Sequence, residues 1–184
     1  MKSVFRLSIA AAALALGGGS LIAGSSNPMV GGAAMYPTKN IIQNAVNSKD
    51  HTTLVAAVKA AGLVETLSGP GPFTVFAPTN AAFAKLPAGT VDTLLKPENK
   101  STLTSVLTYH VVPGKISAAQ LAAKIKAGGG KASLTTVQGG KLTFAKAMGG
   151  YTVSDAKGDT AKITIADVNQ SNGVIHVIDG VMLP

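Results

Sequence analysis

The chain of 184 residues contains no cysteine and no tryptophan, and its single arginine is Arg6. Without cysteine, the protein cannot use thiol chemistry, form disulfides or bind a metal ion through thiolates. Without arginine beyond residue 6, it lacks the planar, bidentate side chain that best recognises phosphate and guanine. We therefore expect no nucleic-acid partner.

Sequence patterns that carry catalysis are also missing. The chain has no Gly-x-Ser-x-Gly elbow, no phosphate-binding loop and no dinucleotide-binding glycine pattern. Its eight acidic residues form no close pair suited to general acid–base chemistry. The histidines of the second half, His110 and His176, have no carboxylate or third histidine at ligand spacing. We predict that the protein is not an enzyme and binds neither a metal ion nor a cofactor.

The N-terminus has the pattern of an export signal. Lys2 and Arg6 flank the start of an apolar run at residues 7–16, and glycines and small residues follow up to Ser25. The run is too short to span a membrane, which takes about 20 apolar residues. We predict a signal peptide over residues 1–24, a flexible segment over residues 25–35 and one domain over residues 36–184; cleavage after Ala34 is an alternative. The protein is then secreted, periplasmic or on the cell surface.

The rest of the chain changes character halfway along. Helical patterns fill the first half: Asp50, Thr79 or Asn80, and Thr90 can cap helices, Gly62 ends one of them, and Ser117 with Gln120 forms a capping box. Between them, residues 73–77 have the composition of a strand. The second half consists of strand-like segments separated by glycine turns about ten residues apart, as in antiparallel hairpins. Helices followed by hairpins predict an α+β fold with segregated layers.

Three segments resemble the signature motifs of the fasciclin-like domain family. They read FTVFAPTNAAF at residues 73–83, LTYHVVPG at residues 107–114 and NGVIHVIDG at residues 172–180. Their order and spacing match the family, and the resemblance covers residues 36–184. It implies a β-wedge or sandwich of antiparallel strands with a layer of short helices. It also implies an extracellular, cell-surface or periplasmic role in adhesion.

The resemblance also suggests residues that contact a partner. Asp167 and Val168 match a pair implicated in partner binding, although the residues before them differ from the family pattern and Val replaces Ile. Tyr109 belongs to a motif linked with adhesion, and His110 follows it. Each has a structural alternative: Asp167 can organise a turn, Tyr109 can be a core ring with a bonded hydroxyl, and His110 can be a neutral core histidine.

Two functions without catalysis fit the sequence. The first is an adhesion or interaction module that binds a cell-surface or matrix protein or glycan. Without residues 1–24, the chain has 14 lysines and 8 acidic residues, which give a net charge of +6. Such a charge attracts anionic surfaces only weakly, so we expect any membrane contact to be at most peripheral. The alternative is a carrier of a small apolar ligand such as a carotenoid, in a groove lined by four methionines: Met29, Met35, Met148 and Met182.

Overall fold

The computed structural model describes residues 27–184, and the predicted export signal lies outside them. The helices are α1 (Ile41–Ala45), α2 (Thr52–Ala61), α3 (Val64–Ser68), α4 (Asn80–Ala84), α5 (Thr90–Leu94), α6 (Lys100–Tyr109) and α7 (Ala118–Ala127). The strands are β1 (Met29–Val30), β2 (Ala33–Ala34), β3 (Phe73–Pro78), β4 (Val111–Pro113), β5 (Lys131–Thr135), β6 (Lys141–Ala147), β7 (Gly150–Ser154), β8 (Thr160–Gln170) and β9 (Gly173–Ile178). The predicted α+β class is confirmed.

The helix ends follow the local chemistry of the sequence. Gly62 takes a left-handed conformation after α2, with φ of 73°, as a helix-ending glycine does. Thr79 accepts a hydrogen bond from the backbone N–H of Ala82 at the start of α4. The predicted capping box of Ser117 and Gln120 forms at the start of α7. These three predictions are confirmed because each depends only on neighbouring residues. The caps predicted at Asp50 and Thr90 are wrong: the N-caps of α2 and α5 are His51 and Gly89, and neither makes a side-chain capping bond.

Seven strands form one sheet in the order β4-β3-β9-β8-β7-β6-β5. All neighbouring strands are antiparallel except β3 and β9, which are parallel over six residues. The sheet is therefore mixed: its strands are antiparallel as predicted, apart from this one pair. Strands β3 and β9 are covered on both faces, as is usual for parallel pairs.

Strand β8 bends the sheet. Its pairing with β9 shifts register twice, between Ile163 and Ile165 and again before Val168. Such bulges kink a strand and change which face a side chain points to. Ile163 therefore packs into one core and Val168 into another.

The two cores lie on opposite faces of β3 and β9. The helix-side core joins Val75, Ile175 and Val168 to the helices before residue 110. The wedge core joins Phe76 and Ile178 to inward side chains of β5 to β8 and of α7. In the wedge core, the ring centroids of Phe76 and Phe144 are 4.9 Å apart.

The structure differs from the sequence prediction at residues 29–35. Instead of a flexible segment, β1 and β2 form a short hairpin. Val30 and Met35 are buried in the helix-side core, 4% and 2% exposed. At the turn, Gly31 has a φ of 56°, and an added Cβ would lie 2.4 Å from the Ser48 hydroxyl. Since only glycine fits here, the hairpin packs closely on the residues before α2.

Candidate functional site

The three signature segments come together at the centre of the molecule. Strand β3 from the first segment lies between β4 from the second and β9 from the third. Thr74 pairs with Val112 on one side and with Val174 on the other. The segments thus build the central strands of the sheet.

Tyr109 is completely buried at the end of α6. Its hydroxyl donates to the Lys141 carbonyl at 2.7 Å and accepts from the Ala156 N–H at 3.2 Å. Burial raises the pKa of this hydroxyl, so it remains the donor. The partner contact expected from the resemblance is not available in this conformation; Tyr109 is the core ring with a bonded hydroxyl.

His110 is 2% exposed and binds the C-terminal segment to α6. Its Nδ1 lies 2.7 Å from the Val106 carbonyl, and its Nε2 accepts from the Met182 N–H at 3.0 Å. Because a carbonyl can only accept, the proton sits on Nδ1 and the ring is neutral. Burial lowers the pKa of His110 to about 4. His110 offers no surface to a partner, which corrects its assignment as a contact residue.

His176 connects β9 to the start of α7. Its Nε2 lies 2.8 Å from the Ile116 carbonyl, and its Nδ1 accepts from the Asp167 N–H at 3.3 Å. The proton is therefore on Nε2, the opposite tautomer from His110. Burial lowers the pKa of His176, and its ring stacks on Phe76 with centroids 5.5 Å apart.

Asp167 and Val168 sit at the second register shift of β8, not in a turn. Val168 is completely buried, so the expected apolar contact with a partner is not offered. Asp167 is exposed and has a φ of 58°, a left-handed conformation that aspartate tolerates. Its Oδ1 accepts from the Ala118 N–H at 2.7 Å, so this carboxylate helps to cap α7. Of the four candidate contact residues, only Asp167 presents a side chain to solvent.

Two polar side chains with important roles were missed in the sequence. Asn172 donates to the carbonyls of Leu67 and Gly69 at 2.7 and 3.0 Å and accepts from the Ile41 N–H at 3.1 Å. These bonds join β9 to α1 and α3. Their only sequence signal was the place of Asn172 at the start of the third motif.

Asp155 is the second missed residue, 8% exposed in the turn after β7. Its Oδ1 accepts from the N–H groups of Lys157 and Asp159, both at 2.9 Å. Its Oδ2 accepts from the Leu183 N–H at 3.0 Å. Asp155 therefore holds the C-terminal segment from one side while His110 holds it from the other.

The predicted ligand groove of methionines does not form. Met29 and Met148 are 59% and 99% exposed, whereas Met35 and Met182 are buried in different cores. Two apolar cavities beneath α1 and α2 measure about 30 Å³ each, enough for a water molecule or two. One of them adjoins His51, whose Nε2 is buried without a hydrogen-bond partner among the described residues.

Within residues 27–184, no group of three or more histidine or carboxylate side chains is placed to hold a metal ion. Over the same range, no helix has the length and apolar character needed to cross a membrane. The buried polar side chains described above instead bind backbone groups of the protein itself.

Comparison with known proteins identifies the class that this architecture defines. The fasciclin domain model matches residues 49–184, and the chain belongs to the fasciclin domain family. Its fold is similar to that of a FAS1 domain pair from the insect cell adhesion molecule fasciclin I. The TM-score is 0.69 at 19% identity, over 79% of this chain and 51% of that chain.

Individual relatives come from bacteria. Protein sll1483 of Synechocystis is 52% identical over 158 residues, which are 85% of this chain and 79% of the relative. The immunogenic protein MPB70 of Mycobacterium bovis is 39% identical, over 76% of this chain and 66% of its own length. The cell surface glycolipoprotein MPB83 of the same species is 33% identical, over 91% of this chain and 66% of its own length.

Proposed function

We propose that the protein is an exported, non-enzymatic adhesion module that binds a cell-surface or matrix protein or glycan. The main support for this proposal is that the polar residues of the signature segments hold the fold together. Tyr109, His110 and His176 bind backbone groups through their polar atoms and are buried. A side chain fixed in this way stabilises a fold and is not free to move protons to and from a substrate.

The exterior supports the same proposal. Among the described residues there is one ion pair, Lys85 with Asp179 at 3.7 Å. The other lysines have no carboxylate within ion-pair distance in that part of the chain. Residues 27–184 contain 14 lysines and eight acidic residues, so their net charge is positive. Unneutralised surface charge attracts anionic partners and speeds their association.

Export is part of the proposal, and relatives support it. MPB83 is a cell surface glycolipoprotein, and fasciclin I is a cell adhesion molecule. For this chain, we propose cleavage near residue 24 and not after Ala34. The later cut would remove the hairpin whose Val30 packs in the helix-side core.

Asp167 is the residue we propose as a partner contact. Its side chain is exposed, and the cap on Ala118 uses one carboxylate oxygen. An Asp167→Asn variant keeps an oxygen for the cap and removes the negative charge. It therefore separates a role in binding from a role in folding.

The experiment is attachment of fluorescent protein lacking residues 1–24 to cells and matrix from its source, over a range of salt concentrations. We expect saturable attachment above that of an unrelated protein of equal charge, and weaker attachment by the Asp167→Asn variant. No attachment above the unrelated protein at any salt concentration would refute the proposed function. Equal attachment by the variant would refute only the role of Asp167.

A further inference from the structure

An open groove lies between α7 and the hairpin of β6 and β7. Its volume is about 430 Å³, within the range of roughly 300–1,000 Å³ typical of small-ligand pockets. The residues that line it are Ala122, Ile125, Lys126, Gly130, Lys146 and Tyr151.

Strand register creates one wall of the groove. Lys146 pairs directly with Tyr151 across β6 and β7, which places the two side chains on the same face. Leu142 and Phe144 precede Lys146 on that face and are completely buried in the wedge core. The groove therefore begins where the wedge core ends.

Helix α7 forms the opposite wall. Ile125 is 3% exposed and belongs to the wedge core. Ala122 and Lys126 are four residues apart and share the neighbouring face of the helix. The helix thus contributes an apolar floor with a cation beside it.

The lining combines three features that together suit one kind of ligand. It has an apolar floor, an aromatic ring from half-buried Tyr151, and ammonium groups from exposed Lys126 and Lys146. None of the lining residues is acidic, and neither lysine has an ion-pair partner among residues 27–184. Lysine is a flexible point charge, so two lysines can reach a carboxylate carried on an extended polymer without a fixed geometry.

We propose that this groove binds a carboxylate-bearing sugar ring of an acidic polysaccharide. The apolar face of the sugar packs on the Tyr151 ring, and its carboxylate lies between the ammonium groups of Lys126 and Lys146. This inference rests on the proposed adhesion function and names a polyuronate as the partner of the groove. The contact proposed at Asp167 lies at the other end of α7 and is separate from the groove.

The test measures binding of polygalacturonate, and of its neutral methyl ester, to protein lacking residues 1–24. The groove variant is Lys126→Gln with Lys146→Gln; the matched control is Lys59→Gln with Lys100→Gln, both exposed on the helical layer. Titration calorimetry near physiological salt gives the affinities, and thermal unfolding shows that each variant is folded.

We expect the groove variant to lose affinity for polygalacturonate at least tenfold and the control no more than twofold. We expect a Tyr151→Leu variant to lose affinity several-fold, because packing on the sugar face is reduced while both charges remain. Equal losses in the groove and control variants would overturn the proposal, since binding would then depend on net charge alone. Equal binding of the methyl ester, or no binding by the unaltered protein, would overturn it as well.

Cell attachment by the same variants separates this proposal from the broader one. If the unaltered protein attaches to cells and the groove variant attaches equally well, the groove assignment is wrong and the adhesion function stands. If the unaltered protein does not attach, the adhesion function fails whatever the calorimetry shows.

Discussion

Mild acid should destabilise the protein through His110. Burial holds its pKa at about 4 in the folded state, whereas an unfolded chain has a histidine pKa near 6.5. The unfolded state therefore takes up a proton first as the pH falls. The stability that His110 contributes is complete above about pH 6.5 and is lost between there and pH 4.

The magnitude follows from these two pKa values. At pH 5 the unfolded histidine is almost fully protonated and the folded one is still neutral, which costs about 2 kcal/mol of unfolding free energy. Below pH 4 the loss is complete, at about 3 kcal/mol. The structure supplies the reason: protonated Nε2 would face the Met182 N–H, a donor against a donor.

Urea unfolding at pH 7.5 and pH 5.0 measures the effect, because these two pH values lie on either side of the pKa of an unfolded histidine. The His110→Gln variant is the comparison. Burial also lowers the pKa values of His51 and His176, so the variant keeps part of the acid sensitivity. We expect the free-energy difference between the two pH values to be smaller in the variant by about 2 kcal/mol, or about 1 M in urea midpoint. An equal difference in both proteins would refute the reasoning.

Three further predictions concern stability in urea unfolding at pH 7.5. Asn172→Ala removes three hydrogen bonds and should lower the free energy of unfolding by about 3 kcal/mol. The control, Asn169→Ala, loses one exposed hydrogen bond and should lower it by under about 0.5 kcal/mol. Equal losses would contradict the role given to Asn172. Asp167→Ala loses a helix cap and places alanine at positive φ, so it should lower the free energy of unfolding by about 1–2 kcal/mol. Asp167→Asn should lower it much less. The reverse order would contradict the capping geometry. Protein that begins at residue 36 should be less stable by about 3 kcal/mol or more than protein that begins at residue 27, because the burial of Val30 and Met35 is lost; equal stability would show that the hairpin does not contribute.

Several local features of the fold were predictable because neighbouring residues determine them, although the caps expected at Asp50 and Thr90 do not form. The capping box at Ser117, the cap at Thr79 and the helix end at Gly62 each follow from a side chain or backbone preference within four residues. The hairpins after residue 128 follow from glycine turns at regular intervals. The family resemblance of the three motifs then supplied the fold class.

Contacts between distant residues were not predictable in the same way. The parallel pairing of β3 with β9 joins segments about a hundred residues apart, and no local pattern encodes it. The hairpin at Gly31 was missed because its strands have two residues each and its apolar side chains are few. The sequence identified Asp167 as a polar residue before the last strand. It did not indicate that Asp167 caps a helix that begins 49 residues away along the chain.

The same distant contacts couple the scaffold to its proposed binding surface. Asp167 accepts from the first N–H of α7, and its own backbone N–H donates to His176 in the central sheet. Helix α7 closes the wedge core through Leu121 and Ile125 and forms one wall of the groove. Because one helix does both, a change at Asp167 can alter binding without touching the groove. A stable fold with weakened polygalacturonate binding in Asp167→Ala, but not in Asp167→Asn, would therefore identify Asp167 as a positioning residue for the groove.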